Sequence, residues 1–223
     1  ESLQKVQRKN RMRFFLDMCI LIYYASNDNS LFSKKTLEFL KKNEKAKFLV
    51  CHYIVELDLP KWIKRQNILV DEVIKKIQNP NYDLQNSSGW NSLYPREKQK
   101  GDKLIFKAQH IPNKNEFVQR LIDFQKDIEI RIFNFIKIRS EKVIQLSEID
   151  EELKSQLLTY LSNNVSDANV IASGIQEHNK KEAILITADK GHWTKENLEW
   201  AIPQGSALSK RYKLPEIKYI QDF

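Results

Sequence analysis

Glycine, cysteine and long apolar runs are all scarce in this chain, and each scarcity argues against a class of protein. Five glycines among 223 residues exclude a collagen-like architecture. Gly89, Gly101, Gly174, Gly191 and Gly205 fall in neither a G-x-G-x-x-G nor a P-loop spacing, which argues against a kinase, a GTPase or a dinucleotide enzyme. The two cysteines, Cys19 and Cys51, lie inside the apolar runs DMCILI and FLVCHY. They read as reduced core thiols of a cytosolic protein, and with four scattered histidines they cannot build a zinc site. The longest apolar run, residues 14–25, is too short to span a bilayer and contains Asp17. A basic stretch before it imitates a secretory signal, but the acid and the lack of a small-residue cleavage site argue against one. These absences predict a soluble, cytoplasmic protein with no membrane partner.

What is present points to a folded domain with an affinity for polyanions. Hydrophobic residues make up 41% and charged residues 30%, enough apolar material for a real core. Lys and Arg total 37 against 29 acids, a surplus of +8, with a pI near 9.3. Such a surplus favours nucleic acid first and an anionic membrane second.

The apolar patterning alternates between short strands and helices. Residues 13–17 read as a buried strand and 19–26 as the helix after it; residues 47–51 read as a second strand, running into a helix near Tyr53. A short strand at 142–146, a helix over 149–161, a helix from about Asp167, a strand over 183–187 and a last strand near 217–220 complete the pattern. This alternation predicts an α/β fold, a parallel sheet flanked by helices. The chain reads as one domain over 1–223 with an insertion at 79–138. Within it, residues 79–115, rich in Asn, Ser, Pro, Gly and Lys, read as a long loop. Residues 117–138 read as a helix, with Phe117, Leu121, Phe124, Ile128, Ile132 and Phe135 on one stripe that packs in the core or forms a homodimer seam. Residues 1–12, with Lys5, Arg8, Lys9 and Arg11, read as a basic lead-in helix or tail.

Four acids stand out by position. Asp17 ends an apolar strand, where an ionised carboxylate is costly unless paired or metal-bound. Glu56 sits in Ile54-Val-Glu-Leu57, Asp167 opens the helix Ser166-Asp-Ala-Asn-Val-Ile-Ala-Ser173, and Asp189 follows Ile184-Leu-Ile-Thr-Ala188. In an open parallel sheet the carboxyl ends of the strands share one edge, where ligands bind. All four acids can converge there, and an oxygen-only cluster of this kind suits Mg²⁺ or Mn²⁺. Each also has a structural alternative: Asp17 as a helix cap, Asp167 as a first-turn acid favoured by the helix dipole, Asp189 as a turn residue.

In these segments the chain resembles the PIN-domain nucleases. Phe15-Leu-Asp-Met-Cys-Ile-Leu-Ile22 is similar to the family's "LDxNxLI" strand, and Val55-Glu-Leu57 resembles its second acidic position. Ser166-Asp-Ala-Asn-Val-Ile-Ala172 is similar to its "DAxIAA" helix, and Leu185-Ile-Thr-Ala-Asp189 to its "LxTxD" strand end. The likeness covers residues 13–57 and 140–223. Met18-Cys19 stands where the family has a small polar pair, and Gly191-His192-Trp193 where it often has an acid-aromatic pair, so one auxiliary carboxylate is missing. Pro60, four residues after Glu56, must kink or end the helix there.

The resemblance implies a metal-dependent endoribonuclease that hydrolyses phosphodiester bonds of single-stranded RNA, with DNA as an alternative substrate. Asp17, Asp167 and Asp189 are then the main metal ligands, and Glu56 binds a second ion or positions water. It also admits a toxin-type or defence nuclease held by an antitoxin-like inhibitor. The alternative is a catalytically degenerate module that binds RNA or serves assembly. For grip, Arg96, Lys98, Lys100, Lys103 and Lys107 lie among Trp90, Tyr94 and Phe106, a mixture suited to backbone contacts and base stacking along a single strand. Lys34, Lys35, Lys41 and Lys42 read as a solvated helix face.

Overall fold

In a computed structural model, residues 12–28 and 30–223 are described. The expected basic lead-in at 1–12 lies, but for Met12, outside them. The chain divides into two units, one made of residues 1–59 and 132–223 and the other of Pro60–Arg131.

The first unit is built on five strands: β1 (Arg13–Leu16), β2 (Lys47–Cys51), β3 (Ser140–Ile144), β4 (Ile184–Thr187) and β5 (Ile217–Tyr219). They form one sheet in the order β3-β2-β1-β4-β5, with every pairing parallel. Central strands of such a sheet are covered on both faces and read as unbroken apolar runs. Accordingly Phe14, Phe15, Leu16, Phe48, Leu49, Val50, Leu185 and Ile186 are all buried.

The helices of this unit are α1 (Met18–Ser26), α2 (Leu31–Lys42), α7 (Glu151–Tyr160), α8 (Val165–Lys180), α9 (Lys195–Ala201) and α10 (Ala207–Arg211). From β1 the chain steps outward through β2 to β3, then returns past β1 to β4 and β5. With right-handed crossovers, those two directions put α1 and α2 on one face and α7 to α9 on the other. The packing agrees, since α1 lies against α2, and α7 against α8 and α9. The strand order therefore reverses between the neighbours β1 and β4.

Arg13 opens β1 almost fully buried. Its guanidinium donates to Glu177 Oε2 at 2.9 Å and to the Lys181 carbonyl at 2.9 Å, tying the start of β1 to the end of α8. Glu177 has its carboxyl held below the usual range. Burial alone would raise it, but contacts with Lys180 and Arg13 outweigh burial.

Pro60 does not end the helix. The residues before it, Ile54–Asp58, form a π-helical turn that closes with the Leu59 amide on the Ile54 carbonyl, and α3 (Leu59–Gln78) follows directly. The wider turn accommodates the amide that proline lacks.

The second unit corrects the expected long loop at 79–115. That stretch holds α4 (Ser88–Asn91) and α5 (Pro95–Gln109), and α6 (Lys114–Arg139) follows. Pro95 stands at the first helical position of α5, where its missing amide proton costs nothing. The unit has its own core of Leu69, Val70, Val73, Leu84, Trp90, Leu93, Ala108, Phe117 and Leu121. Gly101 lets α5 meet Trp90, because a Cβ there would lie 2.6 Å from the indole ring. The insertion thus spans 60–131, wider at its start than the expected 79–138. Within the α6 stripe, Phe117 and Leu121 pack in this core, and Ile132 and Phe135 are buried in the sheet unit. Among the described residues no helix is long and apolar enough to cross a membrane.

Candidate functional site

The reversal of strand order opens a crevice at the carboxyl ends of β1 and β4, and the sequence places polar groups there from three segments. Asp17 follows β1 directly. Its amide continues the sheet by donating to the Ile186 carbonyl at 3.0 Å, which fixes the residue against β4. The side chain makes no capping bond to α1, so the helix-cap alternative fails. Instead its Oδ2 accepts from the Thr187 hydroxyl at 2.6 Å and from the Cys19 thiol at 2.9 Å. The Cys19 thiol and the Thr187 hydroxyl are thus side-chain donors to this carboxylate. Burial pushes the Asp17 carboxyl up to about 6, with the charge of Asp167 adding to the rise and the two hydrogen bonds opposing it. Burial and the adjacent Asp17 carboxylate likewise push the Cys19 thiol well up, so it stays protonated and can donate.

Thr187 links this carboxylate to the next. Its hydroxyl also accepts from the Asp189 amide at 3.0 Å, while the Asp189 Oδ1 caps its own turn by accepting from the Gly191 amide at 2.6 Å. The turn reading of Asp189 is thus met by Oδ1, and Oδ2 faces His192 at 3.6 Å.

Asp167 sits in the first turn of α8. Asn164, the residue at the helix N-cap, accepts from the Asp167 amide at 3.2 Å and donates its own side-chain amide to Asp167 Oδ2 at 2.6 Å. Two further contacts come from the segment after Asp189. The buried Trp193 indole N–H donates to Asp167 Oδ1 at 3.2 Å, and His192 Nδ1 lies 2.9 Å from Oδ2.

Asp167, Asp189 and His192 each offer one ligand atom, and the three atoms lie within 4.8 Å of one another. The imidazole was not foreseen as a ligand: Gly191-His192-Trp193 reads in the sequence only as a lost carboxylate. An oxygen–oxygen–nitrogen set suits Mn²⁺ and related transition ions better than Mg²⁺, which favours oxygen ligands throughout.

Glu56 stands apart from this group. It occupies the π-helical turn with a 60% exposed side chain, and its ion-pair partner is His52, 3.9 Å away. The acid that the turn carries toward α8 is Asp58, which accepts from the Ser166 hydroxyl beside Asp167. The residue spacing contained that signal, two positions beyond Glu56.

Of the expected grip residues, all five basic side chains fall on α5 rather than in a loop. Trp90 is 1% exposed in the core of the second unit and cannot stack on a base, which corrects its expected role. Tyr94 and Phe106 are exposed. In comparisons with family models, curated proteins and solved structures, nothing matches the chain significantly.

Proposed function

We propose that this chain is a metal-dependent phosphodiester hydrolase of the PIN type, acting on single-stranded RNA. The observation that carries the proposal is the meeting of Asp17, from the end of β1, with Thr187 and the Asp167–Asp189–His192 group at the reversal of strand order. Segments 170 residues apart in sequence are joined there by the Thr187–Asp17 hydrogen bond. Asp167, Asp189 and His192 are the residues that would hold the ion. When bound there, a divalent cation neutralises phosphate charge and makes water a usable nucleophile at neutral pH. Asp17, held by Thr187 and Cys19, keeps a second carboxyl against that group, and its raised pKa lets it carry or release a proton near neutrality. The Trp193 indole and the Asn164 amide orient Asp167 from behind, as outer partners of metal ligands do.

The test is cleavage of a mixed-sequence single-stranded RNA with Mn²⁺ or Mg²⁺, against EDTA and the Asp167→Asn protein, with single-stranded DNA beside it. We expect EDTA to abolish cutting and Asp167→Asn to slow it at least a hundredfold. One observation favours a non-catalytic module: the His192 imidazole lies 2.9 Å from Asp167 and 3.6 Å from Asp189, a polar partner for both within the chain itself. RNA binding with no cutting under either metal would establish that reading and sink the nuclease.

A further inference from the structure

The second unit carries most of the chain's net positive charge. Residues 60–131 hold 14 Lys and Arg against nine acids, so about a third of the chain supplies five of its eight surplus charges. Several of these cations are already matched within the unit, as in Arg65 with Glu97, Lys75 with Glu72 and Arg120 with Glu116. Along α5 the situation differs. Arg96, Lys100, Lys103 and Lys107 recur at spacings of four, three and four, which places them on one strip of the helix about 16 Å long. Among the described residues, no acid pairs with Arg96, Lys103 or Lys107. The Lys100 and Lys107 ammonium groups lie over the rings of Phe124 and Phe117 at 5.4 and 6.0 Å, and Lys100 also donates to Gln66 Oε1 at 3.1 Å. Lys98 falls on the other side of the helix and does not belong to the strip.

The lower end of the strip is flanked by rings. Phe106 is 63% exposed, and its ring lies 4.5 Å from that of His110, the residue after α5. The His110 Nδ1 is 2.8 Å from the Phe106 carbonyl, which fixes the pair. A lone exposed phenyl is ordinary, but this one borders Lys103 and Lys107, with which no acid among the described residues is paired.

We infer that this strip of α5 is a track for the backbone of a single-stranded nucleic acid, with the Phe106–His110 pair stacking on a base. Cations without acidic partners fit successive phosphates, and an open ring pair fits an unstacked base, which duplexes and lipid headgroups do not present. The choice of ligand rests on the nuclease reading; the strip itself does not.

The test uses the whole chain in EDTA, with a fluorescein-labelled 12-nucleotide RNA followed by anisotropy over a salt series. Matched single-stranded DNA, duplex RNA and anionic lipid vesicles are the comparison ligands. Lys103→Gln with Lys107→Gln is expected to weaken single-strand binding at least tenfold at 100 mM salt. It should also flatten the log–log salt dependence by about 1.4, the share of two phosphate contacts. Phe106→Ala is expected to weaken binding about fivefold or more with the salt slope unchanged, and Lys98→Gln to leave binding as it is. All four positions are on the helix surface, and a circular dichroism melt coincident with the parent confirms the fold. An effect of Lys98→Gln equal to the double variant, an unchanged slope, or equal binding of duplex or vesicles would overturn the inference. Strip-dependent RNA binding without metal-dependent cutting would sink the nuclease reading alone. Cutting with binding indifferent to the double variant would sink the strip alone.

Discussion

Replacing Asp17 by Asn should make the protein more stable at neutral pH while removing a carboxylate from the candidate site. The buried carboxyl is raised from an ordinary 3.8 to about 6, so the folded state resists its ionisation. A folded pKa above the unfolded one gives stability that is complete at low pH and is lost as pH rises through 6. A rise of that size corresponds to about 3 kcal/mol once the carboxyl is ionised in both states. At pH 4.5 about 1 kcal/mol of the loss has already occurred, because the unfolded carboxyl is ionised there, which leaves about 2 kcal/mol between pH 4.5 and 7.5. Asn can still accept from Thr187 and Cys19 through its carbonyl oxygen, but its amide opposes the Met18 backbone contact, a pH-independent cost of about 1 kcal/mol. The informative quantity is therefore the change in the Asn-minus-parent difference with pH. Urea unfolding in EDTA at pH 4.5, 6.0 and 7.5 should show Asp17→Asn gaining about 2 kcal/mol on the parent across that range. A difference constant with pH, or one that moves against the variant as pH rises, would refute the account of Asp17 as a buried, strained acid.

Two further outcomes concern the scaffold. Glu177→Gln removes the closer of two carboxylates from the nearly buried Arg13 guanidinium, leaving Glu141 at 3.5 Å, and should cost about 2 kcal/mol at pH 7 by urea denaturation. Because the Glu177 carboxyl is held below its ordinary value, that stabilisation is present at neutral pH and fades as pH falls through the folded pKa, so parent and variant should converge in acid. Gly101→Ala drives a methyl toward the Trp90 ring and Leu69, and despite the better helix propensity of alanine should lower stability by about 1–3 kcal/mol. A stabilised Gly101→Ala protein in a thermal melt would show that Trp90 is free to shift.

Much of the sheet was legible because its central strands are short apolar runs, and strands β1, β2 and β4 lie within a residue of where the runs put them. The second unit was obscured by composition. Its helix α5 buries small residues, Gly101 and Ala108, against a single tryptophan, so the apolar stripe that announces most helices is faint. Asp17, Asp167 and Asp189 could be placed from the ends of the elements that carry them. Glu56 could not, because the π-helical turn shifts the angular position of every following side chain relative to a regular helix. His192 escaped notice for a different reason. Its contribution depends on the turn after β4 bringing it beside Asp167, 25 residues away in sequence.

The β1–β4 pairing also sets the order in which the molecule can come into being. Phe14 to Leu16 align with Ile184 to Ile186, so β1 waits for one of its two neighbours until those residues have left the ribosome. At ordinary rates of synthesis the delay is roughly 10 to 30 seconds. During it β1 can join β2, and residues 60–131 have a core of their own to form, yet one edge of the most apolar strand stays open. Such an edge is a template for joining other chains, which makes newborn copies a natural client for chaperones. The same delay keeps the site's groups apart: Asp17 is made long before Asp167, Asp189 and His192, which arrive only with α8 and the turn after β4. The site can thus be assembled only once α8 and β4 have been made.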